Sequence, residues 1–386
     1  MFSNLSAWVR IANCSTRDVI SGGTRTRVSA LHCPSLTIPL PAIPTFMTVA
    51  VRSFAKINLG LYIGARRADG FHDLRTVYQT IALHDVIRVS VDATGEARAS
   101  GVEIFCDDPR VPLDSSNTCY RMAALVMVAL KVRGKVTIEI EKKLPVQGGL
   151  GAASSNAVAA MVGLERVLKK SLGRAERLRI AAEVGSDLPL FLIGGTVLGV
   201  GRGEEVYPLP DLPSMAMVVV TPEIGVSTPK AFADWDALMG ERASSDELTH
   251  SASSDRLFEV GCALSAWLSH YPDAGAPTKR GGRAGSLLSD LVRAGIENDF
   301  EKVVFPQFPE LRDMKRALVR AGSRYASLSG SGSTLYGLFG STAEAEKAAG
   351  RLRKQGLRAT ATRTLTRREF GKSSLVVGRR SSVGGH

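Results

Sequence analysis

Cysteine is scarce in this chain, long apolar runs are missing, and acidic residues are thin at both ends. The five cysteines, Cys14, Cys33, Cys106, Cys119 and Cys262, are odd in number and nowhere spaced C-x-x-C. Neither a disulfide framework nor a zinc site is signalled, and free thiols in a reducing compartment fit best. No uninterrupted apolar run nears the ~18 residues that span a bilayer, so no integral membrane protein is expected. Familiar nucleotide motifs are missing as well. The GKS at Gly371 to Ser373 imitates a P-loop ending, but Thr366 stands where the first glycine is required. Gly149-Leu150-Gly151 opens like a dinucleotide fingerprint, yet Ser154 holds the third glycine position. The H-R-D and D-F-G motifs of protein kinases are absent.

The shortage of acid at the ends accounts for the net charge of +12. Residues 1–46 hold four Arg against one Asp, and residues 351–386 hold ten Lys or Arg against one Glu. The 35 basic and 35 acidic residues between them cancel. A nucleic-acid enzyme more often carries a basic stripe across its folded surface, so no polynucleotide partner is expected. With 386 residues, 44% of them hydrophobic and 22% charged, the chain can bury the cores of two packed domains.

Residues 1–46 read as an unstructured extension, either an acid-poor transit peptide or sequence upstream of a functional start at Met47. The tail 366–386 reads as basic and disordered. Between them, apolar alternation predicts strands from Met47 and at Val86–Val91, Lys135–Glu141, Met215–Thr221 and Ser333–Phe339. Helical spacing predicts Tyr120–Leu130, Ser155–Leu168, Arg174–Val184, Leu257–Ser269 and Glu310–Ala321. Segments 240–256 and 273–286 read as surface loops, and a turn cluster near 205 divides the chain into lobes 47–205 and 206–365. The expected class is α+β.

Four signatures carry the chemistry. The stretch LPVQGGLGAASSNA runs from a strand through glycines into a helix, the order that builds an anion cradle. Glycine permits φ > 0 and close backbone approach, and the helix N-terminus offers unpaired N–H donors. In SFAKINLGLYIG, Lys56 and Asn58 share one strand face; a lysine among apolar residues either pairs with an anion or points to solvent. In RADGFHDLRTVYQTI, the Asp69-Gly70 turn presents Phe71 and His72. Downstream, GSDLPLF sets Asp187 at the edge of an apolar run, as a catalytic carboxylate or a turn residue, and SLSGSGS adds a second glycine loop.

Together these resemble the GHMP small-molecule kinase superfamily, and within it the branch that phosphorylates 4-diphosphocytidyl-2-C-methyl-D-erythritol. The resemblance runs from about residue 50 to 365. Phe54 replaces a family proline, Gln147 a family glycine, and Ala152 and Ala153 two more, which marks the loop's shape at the alanine pair as the point of departure. The resemblance implies a two-lobed GHMP kinase fold, its N-terminal lobe like ribosomal protein S5 domain 2 and its C-terminal lobe ferredoxin-like. It further implies ATP as phosphate donor with Mg2+, Asp187 as base and Lys56 as its charge partner. Pro145, Gly148, Gly149, Leu150, Gly151, Ala152, Ala153, Ser154 and Ser155 would bind phosphate, with Ser154 or Ser155 touching Mg2+ and Asn117 near adenine. Phe71 and Phe232 would sandwich the cytosine and His72 would read its polar edge. Asn58, Thr228, Gly330, Ser331 and Gly332 would lie near the acceptor. A monomer or homodimer in the bacterial cytoplasm is expected, with the plastid stroma as alternative. A kinase for a mevalonate- or homoserine-like alcohol, or a non-catalytic sensor on the same fold, remain the other readings.

Overall fold

Two long strands organise the first lobe: β1 (Val49–Arg66) and β2 (His72–Asp92), antiparallel and bent by register shifts at Phe54/Lys56, Asn58/Gly60 and Ile63/Arg66. Such bulges re-aim side chains, and here they bracket Lys56 and Asn58. The computed structural model describes residues 47–92, 101–245 and 296–376. The extension 1–46, the expected helix 257–269, the loop 273–286 and the last ten residues lie outside them. Where only Val86–Val91 is predicted as strand, β2 extends over 21 residues. Its earlier half is rich in Thr, Val, Tyr and Ile, which suit a pleated and buried surface.

The first sheet has the order β11-β1-β2-β4-β3, with β11 (Leu375–Val376) at one edge and β3 (Gly101–Cys106) parallel to β4 (Lys135–Glu141). Helices α1 (Thr118–Ala129), α2 (Ala152–Leu168) and α3 (Arg174–Val184) pack their apolar residues, among them Met122, Val126, Met161, Leu164 and Ile180, with Ile87, Val89 and Ile138 of the sheet. Gly163 lets α2 approach closely, because a Cβ there would lie 2.6 Å from Val89 Cγ2.

The second sheet has the order β10-β7-β9-β8, all antiparallel, from β7 (Ala216–Val220), β8 (Tyr325–Leu328), β9 (Leu335–Phe339) and β10 (Ala359–Arg363). Between β7 and β8 lie α5 (Thr228–Ser245), α6 (Glu301–Gln307) and α7 (Pro309–Arg320), and α8 (Thr342–Lys354) links β9 to β10. This is the βαββαβ order of a ferredoxin-like lobe. Helix α5 continues to Ser245, through residues expected as loop.

Two expectations change. The turn cluster near 205 is a hairpin of β5 (Thr196–Val200) and β6 (Glu205–Pro208), and β5 pairs with β2. It therefore belongs to the first sheet, and the second sheet begins only at Ala216. Residues 366–376 are also structured. Thr366 and Glu369 form a capping box for α9 (Arg367–Ser373), and β11 (Leu375–Val376) pairs with β1. Phe370 packs 5.6 Å from the ring of Phe54, which in turn meets His84 edge-on at 5.2 Å. The basic composition suggested a solvated tail, but Arg367 donates to the carbonyls of Thr196 and Leu209, at 2.9 and 3.1 Å, and Arg363 pairs with Glu369. The GKS forms the last three residues of α9, where it makes no phosphate loop.

Candidate active site

Lys56 is buried, so the solvent-facing alternative falls. Its ammonium donates to Asn58 Oδ1 at 2.7 Å and pairs with Asp187 Oδ2 at 3.3 Å, which offsets a desolvation cost of several kcal/mol. Asp187 lies in the turn between α3 and α4 (Leu190–Ile193) and keeps a third of its side chain exposed. Its Oδ1 accepts a 2.9 Å hydrogen bond from Tyr78. Burial and the neighbouring Asp187 carboxylate push the Tyr78 hydroxyl well above its usual pKa, so it remains a donor. Asn58 is fixed in turn by donation to Thr76 Oγ1 at 2.7 Å.

The glycine loop lies directly against this group. Gly148, Gly149 and Gly151 take φ of 131°, 81° and 67°, where a side chain would be strained. A Cβ on Gly151 would stand 3.0 Å from both Lys56 Cγ and Phe191 Cζ. The alanine pair does not distort the loop: Ala152 and Ala153 are the first residues of α2, where alanine is the preferred helix former. All positive-φ positions of the loop are glycine. Gly151 caps α2 without a side-chain hydrogen bond, and no acidic residue stands in the first turn, so that turn's N–H groups have no side-chain cap.

The second glycine loop buttresses the first. Ser329 Oγ donates to Gly149 O at 2.9 Å, Thr334 N to Gly148 O at 3.1 Å, and the backbones of Gly149 and Gly332 meet so closely that neither has room for a Cβ. Gly330 faces Asn58 and Lys56. Ser331 Oγ lies 2.6 Å from Thr228 Oγ1 at the start of α5. Asn298 Nδ2 donates to the carbonyls of Leu328 and Gly330, holding this loop from behind.

The two serines that follow the glycine loop separate. Ser155 is buried and shares a 2.8 Å hydrogen bond with Ser53, whereas Ser154 is only partly covered. Asn117 is the N-cap of α1: its Oδ1 accepts from Cys119 N, and its Nδ2 donates to Pro112 O. Thr118 beside it donates to Ala153 O at 2.9 Å, which ties α1 to the start of α2.

The expected base sandwich is differently arranged. His72, not a gap for a ligand, lies flat on Phe232, with ring centroids 5.1 Å apart and an interplanar angle of 7°. Phe71 is half exposed, with the Arg202 guanidinium 5.0 Å from its ring centroid.

Family models place this arrangement. One described as "GHMP kinases N terminal domain" matches residues 117–195, and one described as "GHMP kinases C terminal" matches residues 282–357. Over 290 residues the chain is 38% identical to a 4-diphosphocytidyl-2-C-methyl-D-erythritol kinase of Solibacter usitatus (strain Ellin6076), covering 75% of this chain and 80% of that protein. The chain belongs to this family of GHMP kinases. A kinase of the same name from Acaryochloris marina (strain MBIC 11017) is 34% identical, with coverage of 76% and 87%. A crystal structure of a 4-(cytidine 5'-diphospho)-2C-methyl-D-erythritol kinase superposes with a TM-score of 0.59 at 28% identity, covering 82% of this chain and 98% of that one.

Three residues of this GHMP kinase escape the sequence reading. Tyr78 orients Asp187, as described. Asp85, fully buried, accepts from Lys143 N and Leu144 N at 2.7 Å each, from Lys142 Nζ at 2.6 Å and from Asn156 Nδ2 at 3.1 Å, pinning both flanks of the glycine loop. Asp236 holds His72 Nε2 at 2.7 Å. Asp85 and Asp236 lie in no local motif, and Tyr78, near the end of the RADGFHDLRTVYQTI stretch, carries no role from the sequence. No helix among the described residues is long and apolar enough to cross a membrane, and Cys106 and Cys119 are free thiols.

Proposed function

We propose that the chain transfers the γ-phosphoryl group of ATP to the 2-hydroxyl of 4-diphosphocytidyl-2-C-methyl-D-erythritol. The observation that carries this reading is Asp187, part exposed and held by Lys56 and Tyr78 beside the glycine loop. A carboxylate so placed takes the proton of an attacking alcohol, and general-base help of this kind is worth about 100- to 10,000-fold. Lys56 offsets negative charge as the phosphoryl group moves. Phosphoryl transfer needs positioning and charge neutralisation more than covalent chemistry, and the uncapped start of α2 behind Gly148–Gly151 suits an anionic triphosphate. Mg2+ would come with those phosphates, and Ser154 is the hydroxyl assigned to it, since Ser155 is engaged with Ser53. The names borne by the relatives supply the acceptor, and Phe71 and His72 supply a surface and an edge suited to its cytosine. The bacterial cytoplasm is the proposed compartment, in keeping with the two free thiols.

The test is ADP release by the purified full chain with ATP, Mg2+ and the cytidyl acceptor, with 31P NMR of the product. Acceptor-dependent ADP and a new phosphomonoester signal are expected. Preference for mevalonate or homoserine, or no acceptor-dependent ADP with the cytidyl compound, would reject the assignment.

A further inference from the structure

After β10 the chain reaches back to the strands that carry the transfer end. Thr364 N donates to Met215 O at 3.0 Å, and Thr364 bridges Ile81 of β2. Leu365 N donates to Thr80 O at 2.8 Å, and Gln79 Nε2 donates to Leu365 O at 2.8 Å. Thr80 stands opposite Lys56 in the register of β1 and β2. Its Oγ1 also accepts from Gly195 N at 2.9 Å, and its own N donates to Gly195 O at 3.1 Å. Three segments therefore meet at Thr80: the strand bearing Lys56, the turn that closes the Asp187 segment, and the chain entering α9.

Helix α9 adds a side chain to this junction. The Phe370 ring lies 5.6 Å from that of Phe54, which stands at the Phe54/Lys56 register shift. The same ring fills the space where a Cβ on Gly194 would stand. Gly194 N donates to Leu190 O at 2.8 Å and so ends α4, which begins three residues after Asp187. One ring thus packs against both backbones that deliver the charged pair. It comes from beyond residue 357, where the match to the C-terminal family model stops.

We infer that Phe370 is a positioning residue that, through Phe54 and Gly194, sets the spacing of Lys56 and Asp187. The pair is 3.3 Å apart on two separate segments, so its spacing is only as fixed as those segments are. Close-packed side chains pass a displacement on to their neighbours, and a cavity left by a lost ring is only partly refilled. A bulge aims the side chains beside it, so movement at Phe54 re-aims Lys56. The inference rests on the proposed function for the part this pair plays in transfer, whereas the spacing is a property of the free protein.

Phe370→Ala in the full chain tests it with two readouts. With ATP and the cytidyl acceptor, kcat should fall on the order of tenfold while both KM values stay within about twofold. In reductive methylation followed by peptide mass spectrometry, Lys56 should react about fivefold faster than in wild type, because local opening exposes its amine. Lys142 is the control: it is also buried but paired with Asp85, and its rate should not change. Phe370→Leu keeps apolar bulk, should show both effects at about threefold, and decides the matter where Phe370→Ala does not fold. An unchanged kcat or an unchanged Lys56 rate overturns the inference. So does equal acceleration at Lys56 and Lys142, which would make α9 a general support of the fold. A raised KM for ATP with kcat kept overturns it too, by placing the effect at the glycine loop. If wild type transfers nothing to the cytidyl acceptor, the proposed function fails, while the labelling still decides whether Phe370 holds Lys56.

Discussion

The two ends of the site are built by different means. At the transfer end, backbone locks against backbone: two glycine loops meet with no room for a Cβ at Gly149 or Gly332, and Asp85 ties the strand before the loop to the helix after it. At the end proposed for the acceptor, side chains on a turn, a hairpin and the face of α5 pack together: Phe71 with Arg202, and His72 with Phe232 and Asp236. The difference matches the tasks. Stabilising charge on a transferring group needs donors fixed in advance, and main-chain atoms in a packed loop are hard to displace. Distinguishing one base from another needs a few replaceable groups at an edge.

That contrast predicts loss of turnover from damage at the first end and loss of discrimination or affinity from damage at the second. The largest effect should come from Asp187→Asn, which keeps the shape and removes the proposed base. We expect kcat to fall by about 100- to 10,000-fold with an unchanged circular dichroism spectrum. Near-normal turnover in that variant would break the comparison at its root. Gly149→Ala should follow: its φ of 81° and the carbonyl of Ser329 leave no place for a methyl group, so both loops must shift. Its kcat/KM for ATP should drop on the order of 100-fold, the scale of an ångström-level misplacement. An ATP site unaltered by this change would mean that the loops are not mutually braced.

Phe71→Ala addresses the other end. Loss of a stacking face is worth about 1–3 kcal/mol per base, so KM for the cytidyl acceptor should rise roughly tenfold while KM for ATP stays put. Equal damage to both would merge the two ends into one.

Tyr78→Phe should have a smaller effect than any of these. It removes a donor worth about 1 kcal/mol to Asp187, so kcat should fall about fivefold. It also carries a pH signature. The Tyr78 hydroxyl is raised well above 10 in the folded chain, chiefly by burial and then by Asp187. Stability is therefore complete below the unfolded value of about 10 and is lost as pH climbs from there toward the folded value, because the unfolded chain sheds a proton that the folded chain keeps. Stability measured between pH 10 and 11 should fall less steeply in the variant. Cys119, pushed up to about 12 by burial, and Tyr336 contribute in the same direction, so the slope should be reduced, not abolished.

What the sequence disclosed follows from how each residue is constrained. The glycine loop was legible because positive φ permits little but glycine, so the backbone's demand is written in consecutive letters. Both lobes were legible from apolar periodicity together with the family motifs, and Lys56 and Asp187 through those motifs alone. Tyr78 and Asp236 were not, because each meets its partner across 109 and 164 residues and sits in an unremarkable strand or helix pattern. Composition misread residues 366–376: Arg367 donates to two carbonyls, Glu369 pairs with Arg363, and Phe370 anchors the segment to the first lobe. The hairpin at 196–208 was misplaced because its glycines and prolines signal a turn but not which sheet receives it.

The smallest effect is expected at the alanine pair, and it sharpens the contrast more than its size suggests. If the phosphate loop depends on backbone freedom at family glycine positions, Ala153→Gly should improve ATP binding. The fold argues otherwise, since Ala153 is already helical and the positive-φ positions lie earlier, at Gly148, Gly149 and Gly151. Glycine there should only loosen the first turn of α2, lowering stability by less than about 1 kcal/mol in chemical denaturation. KM for ATP should move by no more than about twofold, within the range of substitutions that touch no special contact. A clear gain in ATP affinity would show that the start of α2, and not the interlocked glycines before it, limits the shape of the transfer end.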